Sequence, residues 1–458
     1  MNIEQYFACI SDNPLIEAFE RQEKKRPPSV DKAKMLMMPP TWDGGTFEEF
    51  AAETYLVNKN KPLSLYIHVP FCHHRCSFCP FYINQTHPIF SPLYAELLSK
   101  EISDTARVLK NVIKERSVGA VYFGGGTPSD MEAQDLAAII RQLYDTFQMA
   151  PDVEVTVEGR LRGFTPEKAH SWVEAGANRF SIGVQTTDET LRKRLSRQSS
   201  RIEMAKVLND LHATGATVAV DIMYALPGQT SEMLVDDIRF LSEETKIHGL
   251  DLYELRVFPD SRLDKAISRG AMPTTPDFIN QAQMYSAAYH KLIEYGYEHF
   301  SEKHWRRSPL ERSVYNTMAK YQADMVPFGS GGGGRLDNIG LGNNGNYMEY
   351  EEAVRAGIKP LKRIMHSPRK HAPDSFAHEL DCSLEQLKVP AAQRWPTHFQ
   401  DQVQILLAQW TKAGLLEAKN DDNASLLTCA GVFWSQRIRN MLFSFLNNAE
   451  LEAVQSPH

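Results

Sequence analysis

An α/β fold built on parallel strands is the class this sequence predicts, and three observations predict it. Apolar, β-rich runs recur six times between residues 63 and 258. Helical patterns separate them. The separations are long enough for helical crossovers, which parallel neighbours require. The six runs are Leu63–Val69, Ala120–Phe123, Val153–Val157, Arg179–Val184, Thr217–Leu226 and Leu250–Phe258. After the first, Leu93, Leu97, Leu98, Ile102, Ala106 and Leu109 fall on one helical stripe, started by Ser91-Pro92 as cap and first turn. Six strands in this rhythm fit a partial (β/α)6 barrel, and they also fit an open doubly wound sheet. Either one puts the active site at the C-terminal ends of the strands.

The flanks are different. Residues 1–60 are polar and broken by Pro27, Pro28, Pro39, Pro40, Gly44 and Gly45, so they read as an N-terminal arm. Residues 61–345 hold the β/α body, a helical stretch over 276–300 and a glycine-rich segment that begins at Asp324. A run this dense in glycine is often a linker. Here it follows the apolar Met325–Phe328, and it equally fits a loop that brings backbone against a ligand. Residues 346–458 form a small C-terminal domain. Its helix Gln400–Ala413, the turn Gly414-Leu-Leu-Glu and the run Ser425–Thr428 read as winged-helix-like. Mixed local charge favours a packing or lid role there over DNA binding.

Composition narrows the function. The chain has 458 residues, and 42% hydrophobic content supports a sizeable core. Fifty Lys and Arg against 57 Asp and Glu give −7, so no basic field suits nucleic acid. No run approaches the roughly 18 apolar residues of a membrane span. The first residues lack the basic start and apolar stretch of a signal peptide. The expectation is a cytoplasmic protein with neither nucleic acid nor membrane as partner.

Three of the six cysteines lie within eight residues, in Cys72-His-His-Arg-Cys76-Ser-Phe-Cys79. A disulfide scaffold spreads its cysteines along a shorter secreted chain. Clustered thiolates are soft ligands for an iron–sulfur cluster or for zinc. Three can hold three corners of a cubane and leave the fourth iron open. A structural zinc would need a fourth ligand, which His73 or His74 could supply.

This C-x3-C-x-aromatic-C motif after a first strand resembles the radical S-adenosylmethionine (SAM) superfamily. More of that pattern follows in order. Gly124-Gly-Gly-Thr-Pro128 comes after the second strand, Glu158 ends the third and Gln185 the fourth. Asp221 lies in the fifth, within Asp-Ile-Met-Tyr-Ala-Leu-Pro-Gly-Gln-Thr230. Over roughly residues 60–340 the series is similar to the branch of the oxygen-independent coproporphyrinogen dehydrogenase. The resemblance implies a partial (β/α)6 radical SAM barrel, with Cys72, Cys76 and Cys79 as ligands of a 4Fe–4S cluster. It implies Phe78 against the adenine, and Gly125, Gly126 and Thr127 offering backbone groups to SAM. Tyr66, Glu158, Gln185, Arg197 and Asp221 match polar SAM contacts. Any one of them alone is more often an ordinary strand-end residue. The branch binds two SAM molecules, so two are expected here. Arg256 and Gly333 are expected to approach SAM or substrate.

Departures within the branch point to the substrate. Phe81 stands where the coproporphyrinogen enzyme has a further cysteine. The H-N-x-x-Y-W pattern of the heme-carrier relatives is missing. In its place stand Tyr297-Glu-His-Phe-Ser-Glu-Lys-His304-Trp305 and, after it, Ser313-Val-Tyr315-Asn316. These, the glycine loop and the N-terminal arm look like the anaerobic heme-degrading radical SAM methyltransferases, the anaerobilin synthases. By that resemblance the substrate is heme, and one SAM activates the methyl group of a second. Carbon adds to the porphyrin, the ring opens to a linear tetrapyrrole and iron can leave. His299 and His304 are the candidates for iron ligation or proton transfer. The basic run from Lys359 to His371 reads better as a solvated face than as a propionate site; Arg306, Arg307 and Arg335 lie nearer the expected mouth. The expected partners are a low-potential donor of the flavodoxin or ferredoxin type and a downstream tetrapyrrole reductase or heme-delivery protein. The rival readings are porphyrinogen decarboxylation and heme delivery by a chaperone.

Overall fold

The computed structural model describes residues 63–79, 84–85, 90–113, 116–320, 323–336, 339–366, 376–417, 424–439 and 442–443. The N-terminal arm and Phe81 lie outside the described residues. The six expected strands all form: β1 (Leu63–Val69), β2 (Val118–Gly125), β3 (Met149–Gly159), β4 (Arg179–Gln185), β5 (Thr217–Tyr224) and β6 (Gly249–Glu254). Each pairs in parallel with the next. The crossovers are α1 (Phe90–Ile113), α2 (Ala133–Thr146), α3 (Pro166–Ala175), α4 (Glu189–Arg194) with α5 (Arg201–Ala213), and α6 (Ser231–Glu244).

Strand alternation divides the residues into two environments. Leu65, Ile67 and Val69 of β1 are buried in the core, as are Val121 and Phe123 of β2 and Val218 and Val220 of β5. The intervening residues line the opposite, inner face. Register places Tyr66 beside Tyr122, Glu158 beside Ser181, and Asp221 beside Asp251 there. A concave face so rich in polar groups is poor for packing and suited to chemistry.

The sheet extends beyond six strands. α7 (Phe278–Glu294) leads into β7 (Glu298–His299) and β8 (His304–Arg306), which run antiparallel along the edge of β6. After α8 (Val314–Lys320), β9 (Asp324–Phe328) inserts parallel to β1 on its free side. β10 (Gly333–Leu336), β11 (Ile339–Asn343) and, after α9 (Tyr347–Arg355), β12 (Leu361–His366) continue antiparallel. The full order is β12-β11-β10-β9-β1-β2-β3-β4-β5-β6-β8-β7, a twelve-stranded sheet. Its two edges do not pair with each other among the described residues.

The glycine-rich segment is therefore no linker. It is a turn and two strands, held where Gly329 has φ +86° and a Cβ would fall 2.2 Å from the His68 carbonyl oxygen. Glu101 fixes it from behind. This buried carboxylate accepts from the Gly329 amide at 2.8 Å, the Asn343 side chain at 2.8 Å, the Tyr350 hydroxyl at 2.8 Å and Lys359 at 2.7 Å. Lys359 is thus consumed inside the fold. The sheet also carries the body to residue 366, past the boundary expected near 345, because β12 needs β11 as its partner.

The C-terminal part contains α10 (Phe376–Glu385), α11 (Gln400–Lys412) and α12 (Cys429–Phe433). A two-stranded pairing of Lys388–Pro390 with Ala424–Leu426 joins them. It docks on α7 through Phe278, which packs against Phe433 and Trp434. Among the described residues no helix is long and apolar enough to cross a membrane.

Candidate active site

The cysteine segment leaves β1 and crosses the rim formed by the ends of β2 and β3. Cys72 and Cys76 are buried and Cys79 half-buried, all as free thiols. Two ties hold the loop between them. The His73 amide donates to Asp130 at 2.9 Å, and Arg160 donates to the His74 carbonyl at 2.6 Å. His73 and His74 themselves are exposed. Thr127 donates to the Cys72 sulfur at 3.2 Å, the kind of bond that steadies a thiolate ligand. Burial pushes the Cys72 thiol up, and Thr127 and Arg160 pull it back. No three His, Cys, Asp or Glu side chains among the described residues gather closely enough for a single ion.

The turn after β2 is shaped for close approach. Gly125 has φ +107°, and a Cβ there would lie 2.5 Å from the His68 ring. At Gly126 a Cβ would fall 2.5 Å from the Phe71 carbonyl oxygen, so only glycine fits against the cysteine segment. Phe78 packs against a separate apolar cluster of Leu191, Leu195, Leu226, Leu255 and Leu263. That cluster lies at the same rim, just past the ends of β5 and β6, at α4 and on the short helix Arg262–Ser268.

The polar residues converge on the inner face. Tyr122 donates to Glu158, which is also reached by the Gly125 amide. Burial pushes the Glu158 carboxyl up. Asp221 is pushed up to about 8, first by burial and then by the neighbouring Asp251 and Glu158. Gln185 ends β4 with φ 66°, and its buried Oε1 has no partner among the described residues. Arg197 follows Ser196, whose φ is 62°. Its Nη1 donates to the Gly183 carbonyl, its Nε has no partner among the described residues, and it bonds the Cys76 sulfur. Left-handed backbone at non-glycine residues costs about 1–3 kcal/mol each and collects at functional sites. Excess buried carboxylate with orphaned amide and guanidinium atoms is a donor set that fits a zwitterionic, cationic ligand such as SAM.

Ten of the expected positions thus gather on one rim: the three cysteines, Phe78, Gly125, Gly126, Thr127, Glu158, Gln185 and Arg197. Asp221 stands just below them. Arg256 is exposed on the segment after β6. Gly333 is exposed on β10, where a Cβ would meet nothing closer than 3.9 Å, so it stands apart. Tyr66 lies in the middle of β1. Its hydroxyl is 2.9 Å from His68 Nδ1, and its ring stacks with Tyr122 and Tyr315.

The two histidines separate. His304 points inward, with Nδ1 3.0 Å from Asp251 and Nε2 3.3 Å from Glu311. Arg179 grips the same Glu311 at 3.0 Å. Against the cost of burial, Asp251 and Glu311 raise His304 to about 9, so it is a held cation and a poor iron ligand. His299 points to the helical side. It stacks on Trp305 at 3.9 Å and meets Tyr289 edge-on, and burial lowers it to about 3. The pairing of Trp305 with His299 explains this, since cross-strand partners share a face. Arg306 pairs with Glu298, and Arg307 donates to carbonyls at the end of α6.

Several residues were not singled out from sequence. Tyr122 and Tyr315 stack at 4.2 Å in the centre of the concave face. His68, Arg179, Asp251 and Glu311 line it. Alternation from Tyr66 to His68 would have exposed one of them; the others depend on pairing across distant strands.

Comparison with known proteins follows the same lines. Residues 66–241 match the Radical SAM superfamily. Anaerobilin synthase of Escherichia coli O157:H7 is 33% identical over 429 residues, covering 92% of this chain and 94% of that protein. The heme chaperone HemW of Lactococcus lactis subsp. lactis (strain IL1403) is 29% identical over 298 residues, 64% of this chain and 75% of its own. Among solved structures, the coproporphyrinogen III oxidase HemN of Escherichia coli superposes with a TM-score of 0.71 at 21% identity, covering 86% of this chain and 92% of that one. The last shows a shared fold.

Proposed function

Because this chain belongs to the radical SAM superfamily, in the family it shares with anaerobilin synthase, we propose that it opens heme without oxygen. The reaction is transfer of a SAM-derived carbon to the macrocycle, with opening to a linear tetrapyrrole and release of iron. The observation that carries this reading is the match over 92% of the chain and 94% of the relative, which includes the C-terminal part. The heme chaperone covers only 64%.

A 4Fe–4S cluster and SAM, when bound, supply one-electron cleavage of a sulfonium carbon–sulfur bond. The protein's part is to hold and shield. In this reading Cys72, Cys76 and Cys79 take the cluster, and Arg197 offsets its negative charge. The Gly125–Gly126 turn and Glu158 hold the amino-acid end of SAM. Gln185 and Asp221 take hydroxyl groups, and Phe78 covers the adenine. The Tyr66–Tyr122–Tyr315 stack excludes water from the concave face below. His304, protonated and braced by two carboxylates, is a proton source facing the same space.

Porphyrinogen decarboxylation is the second reading, supported by relatives such as the oxygen-independent coproporphyrinogen III oxidase of Bradyrhizobium diazoefficiens, 27% identical over 332 residues. Product mass separates the readings. Anaerobic incubation with reductant and SAM should add carbon to heme. Loss of carbon dioxide from coproporphyrinogen, with heme untouched, overturns the proposal.

A further inference from the structure

A cavity of about 410 Å³ lies between β6, the hairpin at 300–304, α8 and the C-terminal helix α10. It shares Asp251 and His304 with the polar cluster on the concave face, and both are buried there. It therefore adjoins the polar cluster across these two residues, and Glu385 and Gln386 bound it on the side of the C-terminal part. Ser313, Asn316 and Thr317 give it a hydrogen-bonding wall, while Tyr253 and Phe300 give it aromatic faces.

The charges around it are not equivalent. Lys320 is bound to Glu385 at 2.6 Å, and Arg439 to Asp381 and Glu385. Arg306 is bound to Glu298. Lys303 differs: its ammonium lies 5.3 Å from the Tyr253 ring centroid and has no carboxylate partner among the described residues. Asp251 is already satisfied by His304 at 3.0 Å. The cavity thus offers one uncommitted cation beside an aromatic wall, with every nearby carboxylate already paired.

We infer that this cavity receives the carboxylate-bearing edge of the tetrapyrrole substrate, and that Lys303 binds a propionate there. The inference rests on the heme reading above and adds a substrate-binding residue to it. It also gives the C-terminal part a role, since Glu385 and Gln386 of that part help to line the cavity.

The test is equilibrium titration of the full chain with heme and with heme dimethyl ester, followed at the Soret band. A charge-assisted hydrogen bond is worth about 1.5–3 kcal/mol, so Lys303→Gln should weaken heme binding by about tenfold or more. Lys303→Arg should restore most of it. The wild-type chain should prefer the free acid to the ester by a similar factor, and Lys303→Gln should lose that preference. Lys303 is exposed, so the glutamine variant should keep the wild-type melting temperature. Wild-type affinity in Lys303→Gln, or an undiminished preference for the free acid, overturns the assignment while leaving the heme reading intact. A wild-type chain that binds neither porphyrin overturns both.

Discussion

Asp221 carries the clearest electrostatic signature in the site. Its carboxyl is pushed up to about 8 by burial and by Asp251 and Glu158. A cationic ligand favours the ionised form, so SAM binding below that pH must expel a proton. Affinity for SAM should therefore rise with pH and level off near 8, falling by up to about tenfold per unit below it. Asp221→Asn should flatten this profile and weaken binding at pH 8; isothermal titration across pH 6.5–8.5 checks both. A wild-type affinity independent of pH would contradict the assignment. Cys76→Ala should lose the brown iron–sulfur chromophore and all SAM cleavage, read by absorbance and iron content. These residues were legible because each sits at a fixed place in an ordered motif. His299 and His304 were not separable in the same way. They are five residues apart in one hairpin, and only the pairing register turns one inward and the other toward Trp305.

At the scale of elements, two devices hold the site. The first is the turn after β2, where a Cβ on Gly126 would meet backbone at 2.5 Å. Gly126→Ala should displace the turn and abolish SAM binding in the titration while iron content stays near wild type. The second is the clamp Arg179–Glu311–His304–Asp251, which ties β4 to β6 and β8 through the segment before α8. His304 is raised above its unfolded value of about 6.5 to about 9. Its contribution to stability is complete below the first value and is lost as pH rises through the second. Glu311, lowered to about 2 chiefly by Arg179 and His304 acting against burial, contributes above about 4.5 and loses that contribution as pH falls toward 2. Thermal stability should thus decline between pH 6.5 and 9. His304→Ala should cost about 3–5 kcal/mol in denaturant unfolding, because buried Asp251 loses its ion-pair partner and Glu311 one of its two. The six parallel strands were readable from their apolar runs. β10 and β11 were not, because their glycines carry no side-chain alternation and the segment is held by Glu101, more than 200 residues away.

For the whole molecule, the arrangement is a polar concave sheet with a cysteine loop at one rim and a cavity reaching under the C-terminal part. The cavity itself is made where segments distant in the chain meet, from Asp251 to Gln386, so no single stretch of sequence displays it. The most direct measurement of the central claim is the Soret band of heme during anaerobic turnover with the reconstituted protein. The account predicts that the band decays only when reductant and SAM are both present, giving way to the absorption of a linear tetrapyrrole. A band that stays intact while SAM is being cleaved would contradict it.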